Sequence, residues 1–311
     1  MEFDSERQSK NIKIRFCIRI CAAVLAVSSL LITILTVYGS SLEFYSRFGI
    51  STNACIGQDF VCFFDVGEGD SALISSNGEN MLIDTGTAQR SKALTTDLNT
   101  IGVKSIDYLL VTHFHDDHTG SLVMLTDRFE VKNLILPDIS DIDGKSEAED
   151  VLYCREKITD DGGNVYTANV GTDIYIGDFR VEIIYYDTTA KAKNDRSVIV
   201  MLYTSAGKFL FTADASYKTE KAMAESGAAL DCDVLKVGHH GSRTSACEEF
   251  LKTCTPEYAV ISCGIGNMNS HPYPDTVKRL KNIHASIYRT DADGDVTFFV
   301  NKDGLQVHTQ C

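Results

Sequence analysis

The sequence predicts an α/β protein in which two β-sheets are covered by helices on their outer faces. The 311-residue chain is 44% hydrophobic and 23% charged, a composition that excludes a disordered chain and a collagen-like repeat. Short apolar segments alternate with segments of helical periodicity along most of the chain. No Pro-rich or low-complexity segment separates the two halves, so we expect one domain of about 250 residues built from two similar halves.

The first forty residues predict a membrane anchor. Residues 20–37 are apolar apart from Ser and Thr, and their number is close to the minimum for a membrane-spanning helix. Basic residues precede this segment, which predicts a single-pass anchor in the cell membrane with the N-terminus in the cytoplasm and the rest of the chain outside. The alternative is a signal peptide whose cleavage secretes the rest of the chain. The chain therefore divides into residues 1–40 (anchor), 41–58 (linker) and 59–311 (folded domain).

The first part of the folded domain predicts nine strands and two helices. Apolar segments divided by Gly turns indicate the strands, and Leu94, Leu98 and Ile101 have helical spacing. A continuous apolar strand such as 107–112 is typical of a strand buried on both faces. The strands are 60–65, 71–75, 80–84, 107–112, 132–136, 173–176, 179–185, 197–203 and 208–212, and the helices are 89–101 and 146–159.

The second part predicts three helices among five strands. One helix covers 217–226, one follows the capping-box pattern Ser245-x-x-Glu248, and one starts at Pro274, a favourable first-turn residue. The strands are 233–237, 258–262, 286–289, 296–300 and 305–308.

Charge and cysteine content exclude some classes of protein. The chain has a net charge of −14, and residues 41–311 carry 24 basic and 40 acidic residues, a net charge of −16. This acidity disfavours a protein that grips long nucleic acid through a basic face. The ten cysteines include no Cys-x-x-Cys pair, which argues against a structural zinc site. We expect most cysteines to be small buried apolar residues.

A histidine-rich motif follows the buried strand 107–112. It reads His113-Phe114-His115-Asp116-Asp117-His118 and contains three of the eight histidines. In extended backbone, His113 and His115 point to the same side, and a following turn can direct Asp117 and His118 to a second point. Imidazole nitrogen and carboxylate oxygen suit zinc, manganese or iron. The motif therefore predicts a metal centre.

Other polar motifs also follow predicted strands. Asp84 lies in Leu-Ile-Asp-Thr-Gly, Asp214 in Leu-Phe-Thr-Ala-Asp, and His239-His240-Gly241-Ser242 follows strand 233–237. With Asp65-Val-Gly-Glu-Gly-Asp70 they resemble the metallo-β-lactamase fold superfamily, and most of all the C-terminal hydrolase domain of ComEC-type competence proteins and its stand-alone relatives. Two mild departures from the usual pattern are Glu68, where Gln is typical, and Ala213, where Gly is typical.

The resemblance implies a four-layer αβ/βα sandwich with two divalent metal ions, zinc or manganese, at one edge between the sheets. It implies one metal at His113, His115 and Asp214, and a second at Asp117, His118, Asp214 and His240. His239 stays open as the alternative to His240. Asp84 and Asp65 are expected to support the ligands from behind. No histidine lies between His118 and His239, so Asn194 or Asp195 is the candidate replacement for the missing third-motif histidine.

Substrate and catalytic roles are expectations of the same kind. Asp117 would orient the attacking water that the metals activate, and His239 and Asn194 would contact substrate. Gly241 and Ser242 are expected just before a helix, where backbone amides favour phosphate. His271 is a candidate proton donor to the leaving group, with a capping or surface role left open.

The implied function is a membrane-anchored, metal-dependent hydrolase, either a phosphodiesterase or a nuclease. Its substrate would be a phosphodiester, either a small molecule or a short or single-stranded nucleic acid, and the oligomeric state stays unknown. One alternative is a hydrolase of carboxylic esters, lactones or β-lactams. Another is a non-catalytic metal-binding module tethered to the membrane.

Overall fold

Seventeen strands in the described part of the computed structural model form two large sheets and one short pair. The described residues are 55, 57–142 and 145–310. In chain order the strands are β1 (Phe60–Phe63), β2 (Ala72–Ser76), β3 (Glu79–Ile83), β4 (Ser105–Ile106), β5 (Tyr108–Leu110), β6 (Glu130–Val131), β7 (Asn133–Leu136), β8 (Asn164–Thr167), β9 (Asp173–Ile176), β10 (Phe179–Tyr185), β11 (Ile199–Tyr203), β12 (Lys208–Phe211), β13 (Val234–Lys236), β14 (Tyr258–Ile261), β15 (Ser286–Arg289), β16 (Val296–Asn301) and β17 (Gly304–Thr309).

Eight α-helices connect these strands within the same residues. They are α1 (Ser91–Ile101), α2 (Asp116–Thr119), α3 (Leu122–Arg128), α4 (Lys145–Asp160), α5 (Tyr217–Glu225), α6 (Glu248–Cys254), α7 (Pro274–Asn282) and α8 (Thr290–Asp293). The predicted anchor, residues 1–40, lies outside the described residues. In the part that is described, no helix is long and apolar enough to cross a membrane.

Both large sheets combine antiparallel and parallel strands. The first has the order β17-β16-β1-β2-β3-β5-β7-β8, and the second has the order β15-β14-β13-β12-β11-β10-β9. Strands β3, β5, β7 and β8 are mutually parallel, as are β12 to β15. The final hairpin returns to the first sheet, where Phe60 of β1 pairs with Phe299 of β16. The two sheets therefore do not correspond to two consecutive halves of the chain, because the last two strands belong to the first sheet.

Three separate apolar cores show that the layers run helices, sheet, sheet, helices. One core joins the first sheet to α1, α3 and α4, and another joins the second sheet to α5, α6 and α7. The central core lies between the sheets, where the Phe63 and Phe211 rings are 5.6 Å apart. Burying each such ring contributes about 2–3 kcal/mol. The predicted mixed α/β fold with outer helices is confirmed.

The sequence predicted the buried strands better than it predicted the short helices and the exposed strands. Strands β9, β10 and β15 have the predicted bounds, whereas β8, α2 and α3 were not predicted. Strand β8 is mostly exposed and lacks a buried apolar stripe. Helix α3 has only seven residues, and Leu122, Leu125 and Thr126 are its buried positions, too few to establish a helical period.

The capping box predicted at Ser245 is wrong. Helix α6 begins at Glu248, and the Ser245 hydroxyl donates to the carbonyl of Ser242 instead. The amides of Ala246 and Cys247 donate to the buried carboxylate of Glu220 on α5, at 2.6 and 2.7 Å. Burial raises the pKa of Glu220 to about 7, although both amides oppose the shift. This cap comes from a distant helix, so no local sequence pattern reveals it.

The described cysteines are free thiols, and most are buried, as the sequence predicted. They are Cys55, Cys62, Cys154, Cys232, Cys247, Cys254 and Cys263. Burial raises the pKa of Cys62 well above its usual value. Such thiols behave as small apolar core residues.

The buried carboxylate of Asp295 makes stability depend on pH. It accepts a hydrogen bond from the Asp65 amide, and burial raises its pKa from 3.8 to about 6, assisted by the charges of Asp97 and Asp65. The folded state therefore binds more protons than the unfolded state between these pH values. Its contribution to stability is complete below pH 3.8 and is lost as the pH rises to 6, by about 3 kcal/mol.

We predict that Asp295→Asn removes this pH dependence, because the amide oxygen accepts the same hydrogen bond without a buried charge. Urea unfolding from pH 3.5 to 8 should show a variant more stable than wild type at pH 8 and similar to it at pH 3.5. Asp303→Asn, at an exposed turn position, is the control for loss of one negative charge. Parallel wild-type and Asp295→Asn curves would contradict the prediction.

Candidate metal centre

The site lies where the carboxyl ends of parallel strands from both sheets meet. Asp84 follows β3 and His113 follows the extended segment after β5, and these two strands are neighbours in the first sheet. Asp214 follows β12 and His240 follows β13, which are neighbours in the second sheet. Carboxyl ends of parallel strands are the usual place for ligands in α/β proteins. The topology therefore brings four distant sequence motifs together.

One cluster consists of Asp117, His118, Asp214 and His240, with one potential ligand atom from each within 4.8 Å of the others. His118 Nε2 lies 3.2 Å from Asp214 Oδ1. His240 Nε2 lies 3.0 Å from Asp117 Oδ2. All but Asp117 are buried. Two imidazoles and two carboxylates form a four-donor set suited to zinc or manganese.

A second cluster shares Asp214 and adds His113 and His115. His113 Nε2 lies 3.1 Å from His115 Nδ1 and 3.7 Å from Asp214 Oδ2. Burial and neighbouring imidazoles keep the pKa of His113 well below its usual value, so its ring is neutral and able to bind a cation. This cluster has three donors among His, Cys, Asp and Glu, one fewer than its neighbour.

Asp84 holds the ring of His118 from behind. The Asp84 Oδ2 atom lies 2.7 Å from His118 Nδ1 and accepts the Thr112 hydroxyl, while Oδ1 accepts the Thr112 amide. With Nδ1 engaged in this way, Nε2 faces the cluster. A carboxylate behind a ligating histidine fixes the ring orientation and increases its basicity. This is the supporting contact that the sequence predicted for Asp84.

The clusters fit divalent cations because buried ligand atoms face one another without forming hydrogen bonds that satisfy them all. Neither His118 Nε2 nor Asp214 Oδ1 makes a hydrogen bond with any described residue. Burial alone would lower the pKa of His240, yet Asp214, Asp117 and Asp70 raise it to about 10. Burial would also raise the pKa of Asp117, but His240 and His118 lower it to about 2. The centre thus strongly favours positive charge, which bound cations would supply.

The sequence did not identify a buried ion pair beneath His240. Lys236 Nζ lies 2.8 Å from Asp70 Oδ2, and both side chains are less than one-tenth exposed. Asp70 Oδ1 lies 3.4 Å from His240 Nδ1, which is also 3.1 Å from the Ser262 carbonyl. Lys236 thus neutralises the carboxylate that lies behind a cluster histidine. The signal available in the sequence was a lysine inside the otherwise apolar strand before the histidine pair.

Asp65, which the sequence predicted behind the ligands, has its contacts elsewhere, whereas Asp70 lies close to His240. Asp65 pairs with Arg90 and accepts the Gly67 amide, contacts that stabilise the loop between β1 and β2. The alternative ligand Asp195 is also placed elsewhere, because its carboxylate accepts the hydroxyls of Ser216 and Thr219. Local sequence context did not separate these carboxylates from those that face the centre.

The structure separates the two neighbouring histidines. Both have left-handed backbone, with φ 47° at His239 and 54° at His240. His240 lies in the four-residue cluster, whereas His239 Nε2 is 3.8 Å from Asp214 Oδ2 and its side chain is 29% exposed. Asn194 Nδ2 lies 3.2 Å from His239 Nε2. His239 and Asn194 therefore lie together at the rim of the centre.

Gly241 and Ser242 were expected just before a helix, but helix α6 begins only at Glu248. Residues Gly238–Gly241 form a turn with left-handed backbone at its two histidines, and the Ser242 amide donates to the His239 carbonyl. That amide is therefore already engaged, and the hydroxyl is the remaining donor at Ser242. Gly241 has φ 76°, and a Cβ at this position would lie 2.7 Å from Pro272. Glycine is required here by both backbone conformation and close packing.

His271 lies beside the histidine pair. Its ring centroid is 5.5 Å from that of His239 and 6.1 Å from that of His240. Its Nδ1 lies 3.1 Å from Glu68 Oε1, and Glu68 also accepts the Asn269 side-chain amide. Burial and the charges of His240 and His239 lower the pKa of His271. Glu68, which replaces the typical glutamine, therefore contacts a predicted catalytic residue.

Comparison with known families agrees with this geometry. The profile of the metallo-beta-lactamase superfamily matches residues 64–265. The chain belongs to the metallo-beta-lactamase superfamily. The matched range contains both clusters, Asp84 and the Asp70–Lys236 pair, so the family assignment covers the whole candidate centre.

The curated relatives include a protein named as a competence protein. The chain is 28% identical over 257 residues to ComE operon protein 3 of Bacillus subtilis (strain 168), covering 76% of this chain and 32% of that protein. It is 28% identical over 250 residues to competence protein ComA of Neisseria gonorrhoeae, covering 79% and 33% respectively. The chain thus spans about a third of the length of these relatives. The predicted resemblance to competence proteins is confirmed.

Solved structures share the fold. The metallo-beta-lactamase fold protein YhfI from Bacillus subtilis superposes with a TM-score of 0.50 at 12% identity, covering 74% of this chain and 95% of that one. CmlA, a diiron beta-hydroxylase from Streptomyces venezuelae, superposes with a TM-score of 0.52 at 14% identity, covering 83% and 60%. At these identities the likeness shows the fold alone.

The Asp70–Lys236 pair yields a stability prediction. Lys236→Met leaves the Asp70 carboxylate buried without its ammonium partner and should lower the free energy of unfolding of the metal-free chain by about 4 kcal/mol. The double variant Asp70→Asn/Lys236→Met should recover at least half of this loss, because no unpaired charge remains. Urea denaturation measures both effects.

Lys208→Met is the matched control, since Lys208 pairs with exposed Asp231 and exposed pairs contribute little. Equal destabilisation by the single and double variants would show that the loss comes from packing and not from the buried charge.

Proposed function

We propose that this superfamily hydrolase cleaves phosphodiester bonds with two divalent metal ions, zinc or manganese. The observation that carries the proposal is the pair of adjoining donor clusters that share Asp214. A carboxylate common to two sites is suited to hold two cations a few ångströms apart, the arrangement typical of phosphoryl-transfer hydrolases. His113 and His115 would hold one cation, and Asp117, His118 and His240 the other, with Asp214 between them.

The metals would supply activation of a water and neutralisation of charge on the phosphoryl group. The surrounding side chains have separate tasks. Asp84 holds the ring of His118 in place, and the Ser262 carbonyl, with Asp70 nearby, does so for His240. Asp117 is the partly exposed carboxylate of the centre, which suits it to orient the attacking water.

Hydrolysis adds the water oxygen to phosphorus and breaks the bond to the leaving alcohol, which receives a proton. His271 lies beside His239, and burial with the charges of His240 and His239 lowers its pKa, which favours the neutral ring. A neutral imidazole N–H would donate a hydrogen bond to the departing oxygen. The proton that the alcohol receives would be the one that the attacking water releases. His239, Asn194 and the Ser242 hydroxyl would contact the remaining phosphate oxygens.

The net charge of the chain and the names of its relatives both indicate the substrate class. One relative is named a competence protein and another a ComE operon protein, which favours a nucleic acid or another phosphodiester. The net charge of −14 disfavours stable binding of long duplexes. Short or single-stranded nucleic acids, or small phosphodiesters, therefore fit best. We also propose that residues 20–37 anchor the chain in the cell membrane with the hydrolase domain outside the cytoplasm.

The test is turnover of bis-(p-nitrophenyl) phosphate by the full-length chain loaded with Mn²⁺ or Zn²⁺. Wild type should release nitrophenol, and chelation of the metal should abolish release. His115→Ala removes a donor from the three-residue cluster and should lower kcat/KM at least about 100-fold, since even changes behind metal ligands cost 10- to 100-fold.

His308→Gln is the control, because His308 is exposed on β17 and lies outside both clusters. Turnover that survives His115→Ala would contradict the assigned site. Hydrolysis of nitrocefin or nitrophenyl acetate without any phosphodiester turnover would contradict the proposed reaction.

A further inference from the structure

We infer that Lys193 and Arg196 form a subsite for a second phosphate of the substrate, one nucleoside away from the bond that is cleaved. The inference rests on the proposed phosphodiesterase function and specifies its substrate as a nucleotide chain. The two cations line a groove together with His113, Phe114 and Pro137. Because His113 belongs to the three-residue cluster, the groove begins at the candidate metal centre.

Local backbone structure directs both cations to this groove. Residues Asn194–Arg196 form a 3₁₀ turn with Lys193 as the preceding cap. Side chains three residues apart nearly eclipse one another in a 3₁₀ turn, so positions 193 and 196 share one face. Both therefore reach the same groove.

The two residues between them are engaged elsewhere. Asp195 is buried and accepts the hydroxyls of Ser216 and Thr219, which ties the turn to the start of α5. Asn194 lies against His239. The acidic side chain of the turn thus points away from the groove, and its basic side chains line it. Two basic residues thus share this groove in a chain whose net charge is −14.

The groove adjoins the centre, because His113 both lines it and belongs to the three-residue cluster. The Nε of Arg196 donates to the Ala190 carbonyl at 2.6 Å, which fixes the orientation of its guanidinium. A fixed guanidinium beside an ammonium is well suited to a phosphate group.

A substrate pair that differs only in the second phosphate tests the subsite. The probes are the 5′-p-nitrophenyl ester of thymidine 5′-phosphate and the same ester carrying a 3′-phosphate. With metal-loaded full-length protein, the 3′-phosphate should lower KM about 10-fold, the size expected from one or two charge-assisted contacts. Lys193→Ala/Arg196→Gln should remove this difference while changing kcat/KM for the simple ester less than about 3-fold.

Lys191→Ala is the matched control, since Lys191 is an exposed cation two residues from Lys193 and does not line the groove. It should preserve the 10-fold difference. Lys193→Ala alone should reduce the difference in KM between the two esters from about 10-fold to about 3-fold. This single variant keeps the test valid if the Arg196 change impairs folding.

Four results are distinguishable. Wild type that hydrolyses both esters with equal KM overturns the subsite and leaves the proposed function intact. A double variant that retains the 3′-phosphate preference also overturns the subsite. Equal loss of activity on both esters overturns it too, because the two cations would then act at the cleaved phosphate. Failure of wild type to hydrolyse either ester contradicts the proposed function itself.

Discussion

The buried carboxylate of Asp214 is the group on which the arrangement of the centre depends. It lies within 4 Å of imidazole nitrogens from His113, His118, His239 and His240, and it belongs to both donor clusters. A charge buried in this way is costly unless opposite charge or polar partners face it. The imidazoles provide part of that compensation, and cations between the clusters would provide the rest. Positive charge is therefore electrostatically favoured at this edge of the sheets.

Several residues at the centre have strained backbone conformations, which are needed to direct the ligand side chains to one point. Four non-glycine residues at the centre have left-handed backbone, with φ between 44° and 58°: Asp84, Ala213, His239 and His240. Each such residue costs on the order of 1–3 kcal/mol and persists only where the surroundings enforce it. All four lie within a few residues of the end of a strand whose register is fixed by a parallel partner in the sheet interior. The rigid strands therefore hold strained turns that direct the ligand atoms.

The sequence predicted much of the fold and the centre because those features are local. Continuous apolar strands marked the sheet interiors, and His113 to His118 form a contiguous motif directly after one of them. Asp70 and Lys236 were missed because their contact joins a loop residue to a strand residue that is distant in sequence. The cap on Ala246 and Cys247 was misassigned for the same reason, since Glu220 comes from another helix. Ser245 satisfied a local pattern whose hydrogen bond is made elsewhere.

The central claim is that the two clusters hold two metal ions that share Asp214. The most direct measurement is the anomalous scattering of crystals of the full-length chain grown with Mn²⁺ or Zn²⁺. The account predicts two peaks about 3.5–4 Å apart, one beside His113 and His115 and the other beside His118 and His240, with Asp214 between them. A single peak, or peaks that avoid Asp214, would contradict it.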